Sequence, residues 1–321
     1  MSRRVLVTGA TGMLGSYIAE TFQEDGWEVS ALVRDRTKAG WLERRGVQIH
    51  EGCLEDVEAV IDAAEGCDGV IHAAAAIGSD GSWEDYRRGN VMGTSHVVTA
   101  AERAGCRLVH VSSTAVFGRS RYQSRATDES TALPNLPVHD FYGRSKQEAE
   151  VVVRRAHEVG RVWATIVRPP VMYGLRDRQF VPRIGPVLRR GLFPRIAGGT
   201  TTLTLVHAKN VADGVVRAIE QDASGGRVFL LTNDFPVTVT DLVRYAGEGM
   251  GRRIRSPFVS RRIGESGFAL LAWALVVAGR KDLSRHVRGT FEMLTRDNPF
   301  TSDRARGELG WSPRVAPDIG L

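Results

Sequence analysis

Three glycines at intervals of three, Gly9, Gly12 and Gly15, stand directly after the apolar run Val5-Leu6-Val7 and directly before a helix-like stretch. A strand entering such a turn and a helix leaving it have few geometries open to them. The first glycine permits a tight turn, the second lets the backbone approach a pyrophosphate, and the third lets the helix pack closely on the strand. The helix N-terminus adds unsatisfied N–H groups that suit phosphate oxygens. The chain is therefore expected to open with a βαβ unit and a nucleotide cradle built from Gly9, Thr11, Gly12, Met13, Leu14 and Gly15.

The first half repeats the theme. Short β-branched runs predict strands at 4–7, 29–33, 47–50, 69–72, 108–112 and 162–167, separated by helical stretches at 14–24, 38–45, 57–64, 91–104 and 142–157. Alternation of this length implies a doubly wound parallel sheet covered by helices on both faces. Beyond Arg168 the prolines 169, 170, 182, 186 and 194 interrupt the pattern. A smaller α/β lobe is expected there, with a helix at 208–221, a strand at 228–231 and a helix at 240–250. The expected division is a nucleotide-binding domain over 1–168 and a mainly substrate-binding lobe over 169–321.

Composition narrows the class. With 321 residues, of which 42% are hydrophobic, the chain can bury a full core without disulfide or metal staples. Cys53, Cys67 and Cys106 are scattered and form no CxxC pair, so no metal site is expected and the thiols read as reduced and cytoplasmic. The N-terminal apolar run is too short for a signal-peptide core, and the longest apolar run, 268–278, is too short to span a bilayer. The net charge of +6 is not spread evenly. Residues 252–288 hold nine basic side chains against two acidic ones, a local +7 that leaves −1 for the rest of the chain. A general nucleic-acid binder is therefore not expected.

Tyr142-Gly143-Arg144-Ser145-Lys146 is a YxxxK whose i, i+4 spacing puts phenol and ammonium on one helix face, where the cation favours phenolate. Upstream, the stretch from His110 to Gly118 resembles an SSxxVYG segment with Ser113 in place of the catalytic hydroxyl, and Asn90-Val91-Met92-Gly93-Thr94 resembles NVxGT. Downstream, the stretch from Arg168 to Gly174 resembles RPxxVYG, and the stretch from Ala305 to Pro313 resembles ARxxLGWxP. Together with the glycine loop these resemble, in order, the extended short-chain dehydrogenases/reductases of the NAD-dependent epimerase/dehydratase superfamily. The appearance is nearest to 3β-hydroxysteroid and sterol dehydrogenase-like members.

The resemblance implies a Rossmann-type fold, a homodimer, and Ser113, Tyr142 and Lys146 as the catalytic set. It implies cofactor contacts from Ala73, Ala74 and Ala75 at the end of the fourth strand, and from Cys53 and Leu54 beside the adenine, with Cys53 where the family carries aspartate. Lys146 would also hold the nicotinamide ribose beside Tyr142, and Pro169 and Val171 would face the nicotinamide. His72 reads as a packed strand-end residue. Arg34 and Arg36, at the end of the second strand, suit a 2′-phosphate and favour NADP; the alternative is NAD, with Asp35 on the ribose.

Thr114 and Ala115 stand where 4,6-dehydratases carry an acidic pair, and Val171 where nucleotide-sugar enzymes carry asparagine. The expected activity is hydride exchange with a secondary alcohol or ketone of a fairly apolar small-molecule substrate, for instance a steroid-like one. The alternatives are a nucleotide-sugar epimerase or 4-ketoreductase and, in a different class, a non-catalytic cofactor-binding scaffold. For the apolar run at 268–278 three readings stand: a buried or pocket-lining helix as the default, a peripheral membrane contact across 252–288, and a partner interface.

Overall fold

A computed structural model describes residues 2–78, 81–121, 126–232 and 235–320. The chain runs β1 (Arg4–Thr8), α1 (Met13–Glu24), β2 (Glu28–Val33), the short α2 (Gly40–Glu43), β3 (Gln48–Glu51), α3 (Val57–Ala64), β4 (Gly69–His72), the short α4 (Trp83–Tyr86), α5 (Gly93–Ala104), β5 (Arg107–Val111), α6 (Phe141–Glu158) and β6 (Ala164–Arg168). It continues through β7 (Val171–Tyr173), α7 (Phe180–Arg189), β8 (Arg195–Ile196), β9 (Leu205–His207), α8 (Ala208–Glu220), β10 (Val228–Leu230), α9 (Val239–Gly249), β11 (Phe258–Val259), α10 (Arg261–Val277), α11 (Lys281–Thr295), α12 (Asp303–Leu309) and α13 (Pro317–Gly320).

Seven strands form one wholly parallel sheet in the order β3-β2-β1-β4-β5-β6-β10. The chain leaves β1 toward one edge and returns at β4 on the other side. That reversal opens a crevice at the carboxyl ends of β1 and β4, the place where such sheets bind ligands. Apolar faces of α1 and α8, with Leu309 and Trp311, cover one side of the sheet. α3, α5 and α6 cover the other through Val60, Ala63, Val97, Ala101, Val153 and Ala156. Both faces are dry, which is why the strands carry unbroken apolar runs.

The sheet is not complete at Arg168. Its seventh strand, β10, and the covering helices α8 and α12 come from the part of the chain assigned to the substrate lobe, so the two units interleave instead of dividing at 168. The second lobe has its own core, with Tyr173, Phe180, Phe193, Leu205, Leu242 and Ile254 packed together. The helix expected at 38–45 shrinks to a 3-10 turn at Arg36–Ala39 and α2, and the start of the one expected at 91–104 is a π-helical turn at Arg87–Met92.

The largest departure concerns the apolar run at 268–278. It belongs to α10, a surface helix of which only Gly264 and Ala272 are fully buried, while Leu270, Leu271, Trp273 and Val277 are exposed. The default expectation of a buried helix fails because one narrow stripe suffices to dock it. The side chains of Lys281, Asp282, Arg285 and Arg288 lie outside the described residues.

Candidate active site

The glycines do what their spacing suggests. Gly9 has φ +75°, and a Cβ there would stand 2.7 Å from the Ala74 nitrogen. A Cβ on Gly15 would meet the Gly9 carbonyl oxygen at 2.2 Å. The loop is thus pressed against both its own helix and the turn after β4, and only hydrogen side chains fit. The crevice above it is a cavity of about 620 Å³.

Its walls contain Gly9, Thr11, Gly12, Met13, Leu14 and Gly15 from the loop, Arg34 from the end of β2, Leu54 from the turn after β3, Ala73, Ala74 and Ala75 from the turn after β4, and Tyr142 and Lys146 from α6. His96 Nδ1 bonds the Leu54 carbonyl at 2.6 Å and holds that turn in place.

Four of the expected cofactor contacts are not brought there. Arg36 turns away to Glu43, at 2.6 Å, and Asp35 spends its carboxylate on Thr37 and Lys38. Cys53 lies between the lining residues Gly52 and Leu54 without lining the cavity itself. Pro169 accepts a backbone bond from Thr114, tying the exits of β5 and β6, while Val171 is exposed and its neighbour Met172 faces the cavity instead. Alternation along a short strand explains the last exchange, since adjacent side chains point opposite ways.

Tyr142 and Lys146 lie one turn apart on α6, whose N-cap Asp140 accepts from the Gly143 nitrogen at 3.0 Å. The Lys146 ammonium donates to the Val111 carbonyl at 2.7 Å, and burial brings it down to about 8. Burial pushes the Tyr142 phenol up to about 12, opposed by the nearby Ser113 hydroxyl. Lys146 is not among the groups that lower it, contrary to the spacing argument, because an ammonium brought down to about 8 has already lost its charge where the phenol ionises. Ser113 therefore meets Tyr142 without lining the cavity, and its Oγ also accepts from the Ala115 nitrogen at 3.1 Å.

A hydrogen-bonded chain fixes this arrangement. Thr94 Oγ1 donates to the Asn90 carbonyl at 2.5 Å, so it must accept from His72 Nε2 at 3.0 Å. His72 Nδ1 is then the acceptor for Thr8 Oγ1 at 2.8 Å, and Thr8 Oγ1 in turn accepts from the Ala74 nitrogen at 3.3 Å. Each hydroxyl has one proton to give, which fixes the neutral histidine tautomer. Burial and the Lys146 charge bring His72 down to about 3, so it is a structural, uncharged side chain as expected. Asn90 closes the chain by bonding both polar groups of Ala76 and the Ser145 hydroxyl, at 2.6, 3.1 and 2.9 Å. The π-helical turn aims its side chain, a common use of such turns at sites.

Sequence reasoning missed Arg176 and Arg178. Both line the cavity from the second lobe. Arg176, at φ 67°, reaches across to Ser16 and Glu20 at 2.9 and 2.8 Å and lies over the Trp41 ring. The contacts span some 160 positions of sequence, and no local signal marks them.

The cradle and cavity fit a dinucleotide, and similarity to known proteins agrees. The model of the NAD dependent epimerase/dehydratase family matches residues 5–231. The 4-hydroxy-2-methyl-3-oxo-4-farnesyl-3,4-dihydroquinoline-1-oxide ketoreductase of Stigmatella aurantiaca is 33% identical, covering 99% of this chain and 94% of its own. A decarboxylating sterol-4-alpha-carboxylate 3-dehydrogenase of Dictyostelium discoideum is 25% identical over 99% of both. A UDP-glucuronic acid 4-epimerase from Bacillus cereus, solved in complex with NAD, shares the fold with a TM-score of 0.73 at 19% identity, covering 99% of this chain and 95% of that one. Glycine cradle, switch-point cavity, YxxxK helix and these similarities converge: the chain belongs to the NAD dependent epimerase/dehydratase family and is an enzyme of the extended short-chain dehydrogenase/reductase type.

Proposed function

We propose that this enzyme reduces a ketone of an apolar small molecule, or oxidises the matching secondary alcohol, and that it prefers NADP(H). The observation that carries the reading is the meeting of Tyr142 and Lys146 with the glycine cradle in one cavity, with the Ser113 hydroxyl beside Tyr142. The residues that would hold the dinucleotide are Gly9 to Gly15 at the phosphates, Leu54 and Ala73 to Ala75 along its length, Lys146 at the ribose and Arg34 at a 2′-phosphate. When bound, the nicotinamide supplies or accepts the hydride.

The chain's own groups handle the proton. With its pKa near 12 the Tyr142 phenol keeps its proton at neutral pH, the form needed to donate to a carbonyl oxygen as that oxygen gains charge. Ser113 donates to the same oxygen and fixes it within reach of the phenol. Lys146, cationic below about 8, favours the phenolate that forms as the proton leaves. Beside Tyr142 no acidic pair follows Ser113, so elimination has no acid and base to use.

The apolar substrate is supported by Ile77 and Met172 on the cavity wall, Ile77 being 53% exposed at its lip. It is supported also by the farnesyl and sterol groups in the relatives' names. The test is oxidation of NADPH and NADH against steroid, aliphatic and sugar ketones. Turnover of an apolar ketone that vanishes in Tyr142→Phe, with cofactor binding retained, is the expected result. Cofactor binding without turnover of any ketone, or full activity in Tyr142→Phe, would overturn the proposal.

A further inference from the structure

Surface helices in water normally show one apolar stripe to the protein and a polar face outward. α10 shows apolar groups both ways. Gly264, Phe268 and Ala272, at four-residue spacing, dock it: Gly264 approaches Ile196, the tilted rings of Phe268 and Phe291 lie 5.3 Å apart, and Ala272 is fully buried. On the opposite face Ile263, Leu270, Trp273 and Val277 are 68, 65, 62 and 68% exposed, and no charged residue occurs from Gly267 to Ala278. Phe258, on β11 just ahead of the helix, adds another 67% exposed ring.

Charge gathers at the ends of this strip. Arg261 and Arg262 open the helix, Arg280 follows it, and Arg252, Arg253 and Arg255 lie in the turn before β11, all of them exposed. Among the described residues no carboxylate pairs with Arg253, Arg261, Arg262 or Arg280. Arginines in a first helical turn oppose the helix dipole, a placement that becomes favourable when an anion meets both.

We propose that α10 lies flat on an anionic lipid surface, with Ile263, Leu270, Trp273 and Val277 inserted at the headgroup boundary and the flanking arginines on lipid phosphates. At 17 residues the helix is too short to cross a bilayer, and apolar residues on one face with arginines around it are the pattern of helices lying in the interface. A second copy of this chain fits worse, since a two-fold contact across α10 would set the two arginine clusters against each other. The docking is independent of the reaction assigned to the cavity.

The test is co-sedimentation of the full chain with phosphatidylcholine vesicles containing phosphatidylglycerol, against pure phosphatidylcholine. Binding is expected to the anionic vesicles only and to weaken with salt. The double variant Leu270→Glu, Trp273→Glu is expected to abolish it, and Arg261→Gln, Arg262→Gln to weaken it roughly tenfold or more, at about 1 kcal/mol per charge. Thermal melting of both variants should match the native chain, because the replaced groups are exposed. Equal binding to neutral vesicles, or undiminished binding by the first variant, would overturn the proposal. So would a native dimer that the first variant dissociates without any vesicle binding, which would assign the face to a second copy.

Discussion

Arg168 at the end of β6 and Glu150 on α6 are joined by two hydrogen bonds of 2.8 and 2.6 Å, with both side chains 1% exposed. Burial alone would drive the Glu150 carboxyl up, but the hydrogen bonds and charge of Arg168 prevail and hold it below the usual carboxylate range. The guanidinium also lies over the Phe117 ring, 4.9 Å from its centre. The pair stands one helical turn beyond Lys146 and so bolts the helix bearing Tyr142 and Lys146 to the sheet.

Removing one partner strands the other. Glu150→Gln leaves a buried guanidinium without a counter-charge, and the expected loss is about 3–5 kcal/mol, read as a lower urea midpoint. The double change Glu150→Met, Arg168→Met removes both charges and is expected to recover much of that loss. A single variant as stable as the native chain would mean that the pair does not hold α6.

What the sequence disclosed and what it hid follow one physical line. Gly9, Gly12 and Gly15 act on atoms within a few residues of themselves or on a backbone they touch directly, and their spacing showed it. The YxxxK turn of α6 is equally local. Arg176 reaches Glu20 across the lobes, and β10 joins the sheet from beyond the expected domain boundary, through contacts that no window of sequence contains. The eleven apolar residues of 268–278 could be counted, but which face of α10 is docked depends on Ile196 and Phe291. Arg36 looked equivalent to Arg34 until Glu43 on α2 claimed it.

That last difference separates the two arginines in cofactor selection. Arg34 lines the cavity, whereas Arg36 is 2.6 Å from Glu43. Arg34→Ala should weaken NADPH relative to NADH by roughly ten- to a hundredfold, the loss of a charged hydrogen bond to phosphate. Arg36→Ala should change the ratio little. Steady-state constants for both cofactors check this, and an unchanged ratio in Arg34→Ala would remove the basis for the NADP preference.

The two shifted groups on α6 set the pH dependence. Lys146 is down to about 8 and Tyr142 up to about 12, both through burial. Below about 8 phenol and ammonium both carry their protons, the combination that ketone reduction needs. kcat/KM for reduction is therefore expected to hold level through neutral pH and to fall as Lys146 loses its charge, since that ratio reports the free enzyme. The sign for stability runs the other way. The unfolded chain binds more protons than the folded one between about 8 and the ordinary 10.5, so the contribution of Lys146 to stability rises across that window. Lys146→Arg keeps the cation at every accessible pH and should move the alkaline limb of the rate profile upward, toward the titration of the phenol. A limb that stays near 8 in that variant would assign it to a different group.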